Sequence, residues 1–131
     1  MIEYRHNFPL DPIDVARVFH ASGITRPTED IPRIARMFAA SNLIISAWAD
    51  GVLVGVCRAL TDYSYCCYLS DLAVDQAFQK RGIGKELMRR VQSTIGDEVS
   101  LILLSAPGAM SYYPSAGFVK AENAFVIRRA K

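Results

Sequence analysis

The segment that most restricts the fold of this chain lies between residues 63 and 104. Residues 63–74 are aromatic and apolar, the composition of a strand. A polar loop over 75–81 then leads to glycines at 82 and 84. From there Ile83, Leu87, Met88, Val91 and Ile95 fall along one stripe, with Lys85, Glu86, Arg89 and Arg90 outside it, which predicts an amphipathic helix ended by Gly96. Residues 99–104 are continuously apolar, as expected of a strand covered on both faces. Strand, helix and strand in that order make a crossover unit.

The rest of the chain can be built around that unit. Residues 43–48 and 52–59 are β-branched and apolar and meet at Asp50-Gly51, the pair that a type I′ hairpin turn prefers because both central residues take positive φ. Asp11-Pro12 offers a cap and a first-turn proline, with Val15, Ala16 and Phe19 at helical spacing before Gly23. A second helix is expected after Thr28-Glu29-Asp30, carrying Ile34, Met37 and Phe38 up to Asn42. A short edge strand is expected at 2–5, a short helix over 107–116, and a closing hairpin of 118–120 with 124–129 around Glu122-Asn123. The expected architecture is α/β: a mixed, mostly antiparallel twisted sheet of six to seven strands with helices on both faces.

A chain of 131 residues suits one domain over 1–131. A net charge of +2 is too small for a nucleic-acid footprint. The basic residues cluster at Lys80, Arg81, Lys85, Arg89 and Arg90, and again at Arg128, Arg129 and Lys131. No apolar stretch approaches the roughly 20 residues a bilayer demands, and the first residues lack signal-peptide character, so a cytoplasmic protein without membrane partners is expected. Cys57, Cys66 and Cys67 have neither disulfide-framework nor metal-ligand spacing; they are expected in strands or core, with no metal.

Two glycines at a helix entry let a bulky anion approach the backbone, where unpaired N–H groups and partial positive charge favour phosphate. The loop lacks the third glycine of a dinucleotide fingerprint and the Gly-Lys-Ser/Thr of a P-loop. Taken alone, it is equally compatible with a tight turn whose glycines relieve strain.

The segment Leu72-Ala73-Val74 through Gln79-Lys80-Arg81-Gly82-Ile83-Gly84 resembles the signature of the GNAT N-acetyltransferase superfamily, Gln/Arg-x-x-Gly-x-Gly/Ala. Downstream, Tyr112-Tyr113-Pro114-Ser115-Ala116-Gly117-Phe118 is similar to that family's aromatic-Tyr-x-x-x-Gly-Phe segment. The resemblance implies a GNAT-like sheet with a splayed parallel strand pair and acetyl-CoA as co-substrate. It implies that the main chain of Leu72, Ala73 and Val74 lines the pantetheine arm. Gln79, Lys80, Arg81, Gly82, Ile83, Gly84 and Lys85 would hold the pyrophosphate.

By the same resemblance Tyr113 is the acid that protonates the departing thiolate, and Tyr112 a packing aromatic. Asp71 is the acidic group available as a general base, with His20 a further candidate; alternation along a strand could turn Asp71 away from the cleft. Ser105 stands where many relatives have Asn. Tyr63, Tyr65 and Tyr68 could line an acceptor pocket for an apolar amine or simply belong to a half-buried strand. The acceptor is expected to be a primary amine on a small molecule. Alternatives are a protein N-terminus or lysine as acceptor, or a non-catalytic acyl-CoA-binding regulator. A homodimer is a further expectation from relatives.

Overall fold

The computed structural model describes residues Met1–Lys131. Its elements are β1 (Ile2–His6), α1 (Pro12–Ser22), α2 (Ile31–Ala39), β2 (Leu43–Ala49), β3 (Val52–Thr61), β4 (Cys66–Val74), α3 (Ile83–Ile95), β5 (Ser100–Leu103) and α4 (Tyr112–Ser115). The five strands lie in chain order, antiparallel except for the parallel β4·β5 pair that α3 connects.

The helix boundaries follow their caps. Asp11 accepts from the Ile13 N–H at the start of α1, Asp30 from that of Arg33 at the start of α2, and Gly23 ends α1 at φ 85°. Asp50 and Gly51 both take positive φ, 50° and 79°, as the type I′ turn between β2 and β3 needs.

Apolar residues divide between two faces of the sheet. α3 sets Ile83, Leu87, Met88, Val91 and Ile95 against Ile45, Cys57, Ala59, Cys67 and Leu69. On the other face α1 and α2 set Val15, Val18, Phe19 and Ile34 against Leu53, Val56 and Ala73. No helix is long and apolar enough to cross a membrane.

Three expectations change. The strand read from residue 63 begins at Cys66, because the Asp62 carboxylate accepts from the N–H groups of Ser64, Tyr65 and Cys66 and folds that stretch into a turn. β5 is covered on one face only, with Ile102 half exposed, since α1 and α2 stop short of it. The sheet has five strands instead of six or seven, because no closing hairpin forms. Phe118 is spent on α4, its N–H donating to the Tyr113 carbonyl and its ring packing 5.5 Å from that of Tyr113. Residues 119–131 then make no main-chain hydrogen bonds with other main-chain groups, and Val119, Phe125 and Ile127 are exposed.

Candidate active site

The loop after β4 leads through two glycines into the start of α3. Gly82 caps α3 in the left-handed region at φ 81°, and the first main-chain bond of the helix runs from Glu86 N–H to Gly82 carbonyl. The N–H groups of Arg81, Gly82, Ile83, Gly84 and Lys85 therefore have no acceptor within the chain, and the positive end of the helix stands behind them. A Cβ added at Gly84 would lie 3.8 Å from Val74 Cγ2 and 3.9 Å from the Tyr112 hydroxyl, so these two groups wall the approach to the backbone.

The side chains near the loop are unequal. Lys80, Arg81 and Lys85 are exposed, Arg81 over the Phe78 ring at 5.1 Å. Ile83 is buried in the core, so only its main chain faces the loop. Gln79 turns back to donate to the Val74 carbonyl at 2.8 Å. Arg89 and Arg90 are both engaged by Glu86, which leaves the three nearer cations as the positive rim.

β4 and β5 pair only from Cys66↔Ser100 to Leu69↔Leu103. Beyond that point the two strands part. Leu72, Ala73 and Val74 pair with Cys57, Val56 and Gly55 of β3, while their other edge has no strand partner. The parting begins at a β-bulge, where Ser70 is the extra residue between Ala59↔Leu69 and Arg58↔Asp71. A gap thus runs from the bulge to the glycine loop, open along the edge of β4.

Tyr113 stands beside this gap. α4 turns it toward the α3 side of the sheet, where its ring meets Tyr112 at 5.3 Å and Phe118 at 5.5 Å. Burial pushes its phenol above the ordinary value, and the nearby Cys57 thiol and Tyr112 hydroxyl push the same way. The Arg26 charge works in the opposite sense.

The bulge shifts the phase of β4. Cys67 and Leu69 face α3, whereas Asp71 and Ala73 face the α1–α2 side. Asp71 is fully buried, accepting from Arg26 Nε at 2.6 Å and Arg58 Nε at 2.5 Å. Arg26 also donates to the Ser70 carbonyl, and Arg58 to the Ser70 and Ser41 hydroxyls. Both carboxylate oxygens are occupied, a setting unlike the open one expected of a base. His20 is exposed at the end of α1.

Of the tyrosine set, Tyr63 belongs to the turn and donates to the Asn42 carbonyl, Tyr65 is exposed, and Tyr68 alone lies on the open sheet face beside β5. Sequence reading passed over Arg26, Arg58 and the reach of Tyr112. Arg58 and Asp71 did carry a signal, being opposite charges inside two apolar strands joined by one turn.

A family model for the acetyltransferase (GNAT) domain matches residues 15–128. The chain belongs to that family. Among curated GNAT relatives, an uncharacterised ycf52-like N-acetyltransferase of Prochlorococcus marinus is 28% identical over 115 residues, covering 83% of this chain and 63% of the relative. One from Pyropia yezoensis is 33% identical over 81 residues, covering 60% of this chain and 47% of its own length. The chain thus spans about half to under two thirds of the curated relatives it matches. A Staphylococcus aureus protein described as a probable acetyltransferase superposes with a TM-score of 0.81 at 18% identity, covering 98% of this chain and all of that one. An aminoglycoside N-acetyltransferase solved in complex with CoA superposes at 0.72 with 17% identity, over all of this chain and 96% of that one. These last two likenesses speak for the GNAT fold.

Proposed function

We propose that this chain transfers an acetyl group from acetyl-CoA to a primary amine of a small molecule, by direct attack in a ternary complex. The observation that carries the proposal is the run of unpartnered amides from Arg81 to Lys85 at the end of an open strand edge. A thioester on a long diphosphate-bearing arm fits both features. The aminoglycoside N-acetyltransferase in complex with CoA supports the donor and a small-molecule acceptor by analogy.

In this reading Arg81, Gly82, Ile83, Gly84 and Lys85 hold the pyrophosphate through their main-chain N–H groups, with Lys80, Arg81 and Lys85 supplying positive charge. Gln79 braces the loop through the Val74 carbonyl. The free edge of Leu72, Ala73 and Val74 takes the pantetheine arm in strand-like fashion, and a main-chain N–H there polarises the thioester carbonyl as negative charge develops on oxygen. Tyr113 gives its hydroxyl proton to the departing sulfur. Asp71 contributes by fixing the bulge, since using it as a base would break both of its ion pairs.

Retention of Tyr113 disfavours a purely binding role, which has no need of a leaving-group acid. Acetyl-CoA at saturation is expected to raise the melting temperature. Thiol release with an amine panel is expected to fall in Tyr113→Phe by about 10²-fold or more in kcat, with the CoA-induced shift retained. Undiminished kcat would remove Tyr113 as the acid, and no thermal shift would remove the donor site.

A further inference from the structure

The sheet face opposite α3 is only partly roofed. Where α1 and α2 stop, Leu60, Tyr68, Ile102 and Leu104 are 40, 39, 50 and 49% exposed. The pairings Leu60↔Tyr68 and Tyr68↔Ile102 set three of them side by side, and Leu104 continues the row two residues on from Ile102. This apolar strip reaches Ser70, where the gap between β4 and β5 opens.

At that end stand two guanidinium groups and one carboxylate, a surplus of one positive charge. The charged and titratable groups around Arg26 are Asp71 on β4, Arg58 on β3 with the Cys57 thiol behind it, and Tyr113 on α4. Glu29 on the same loop and His20 on α1 are exposed and make no ion pair. The Arg26 side chain keeps 26% of its exposure, and its charge reaches Tyr113, the group proposed to act on the thioester sulfur.

We infer that the strip is the acceptor platform, and that the acceptor is a small monoamine on an apolar body whose ammonium is discharged by the surplus charge of the Arg26–Asp71–Arg58 cluster. This rests on the acetyl-transfer reading and adds the substrate class to it. The apolar body covers the exposed strip, and a neighbouring cation favours the uncharged amine. The ammonium proton leaves to water. The nitrogen lone pair then attacks the thioester carbon, forming C–N as C–S breaks, and the sulfur takes the Tyr113 proton. The extra proton on nitrogen passes to water, and water restores that of Tyr113. A second ammonium on the acceptor would meet the same surplus, since both oxygens of Asp71 are already taken by the two arginines.

A matched pair tests the class: n-hexylamine against 1,6-diaminohexane, by thiol release from acetyl-CoA. The monoamine is expected to have a kcat/KM at least about tenfold higher; equal use or preference for the diamine overturns the inference. The mechanism is read from kcat against pH. In Arg26→Gln the acidic limb should rise by about one unit, while Arg26→Lys leaves it in place. No movement in Arg26→Gln, or equal movement in both, overturns it. Calorimetry of n-hexylamine binding to the CoA-loaded wild type, in buffers of different ionisation enthalpy, should show proton release, and none overturns it. An absent CoA-induced thermal shift in the wild type would instead reject acetyl transfer itself, and this inference with it.

Discussion

Two carboxylates in this chain each hold a pair of arginines. Glu86 binds Arg89 and Arg90 at 2.7 Å within a single turn of α3, and its side chain is 28% exposed. Asp71 binds Arg26 and Arg58 at similar distances, but is fully buried and joins a loop and two strands. Valence and bond length are alike; the surroundings differ. At the surface, water replaces a lost partner and salt screens the pair. Beneath α2, nothing replaces it, so the second cluster holds the bulge in shape whereas the first only decorates a helix.

The sharpest way to break that contrast is Asp71→Ala, which leaves two guanidinium groups facing each other, that of Arg58 only 9% exposed. It should cost about 3–5 kcal/mol, read as a lower urea midpoint with an unchanged slope. A loss near that of a surface pair would mean that water reaches the cluster. Next, Arg58→Met combined with Asp71→Leu should be more stable than Asp71→Leu alone, because an apolar replacement removes the orphaned charge. Equal stabilities would show the two residues to be uncoupled.

Glu86→Ala should lower the melting temperature by about 3 °C or less, an effect that disappears near about 1 M salt. Persistence in salt would place Glu86 with Asp71 in kind. The smallest effect belongs to Asp62, whose carboxyl is held down to about 2 by the N–H groups of Ser64, Tyr65 and Cys66. Its contribution is whole above the ordinary aspartate value of about 3.9 and fades as pH falls toward 2. The melting temperatures of wild type and Asp62→Asn should therefore converge over that interval; a constant gap would deny the carboxylate its role in the turn.

Local chemistry made much of this molecule readable in advance. Asp11, Asp30 and Gly23 marked helix ends, Asp50-Gly51 marked a hairpin, and the stripe from Ile83 to Ile95 marked the face of α3. The glycine entry to α3 could be read because the unpartnered main-chain N–H groups there depend on few side chains. What escaped depends on partners distant in the chain. Asp71 looked like a free acid because Arg26 lies 45 residues away, on a loop with no periodic pattern. The run from 99 to 104 hid which of its faces would be roofed, since that was settled by the lengths of α1 and α2. The alternation after Phe118 suggested strands, yet a pattern forms a strand only where an edge receives it.

The extra residue at Ser70 puts Asp71 and Ala73 on one side of β4 and Leu72 and Val74 on the other. Pairing Ser70 as an ordinary strand residue would slip the register by one and exchange the two sets, sending the carboxylate into the apolar layer under α3 and stripping both arginines of their counter-charge. Descendants of this chain can therefore trade side chains along β4, but can scarcely let its register slip by one.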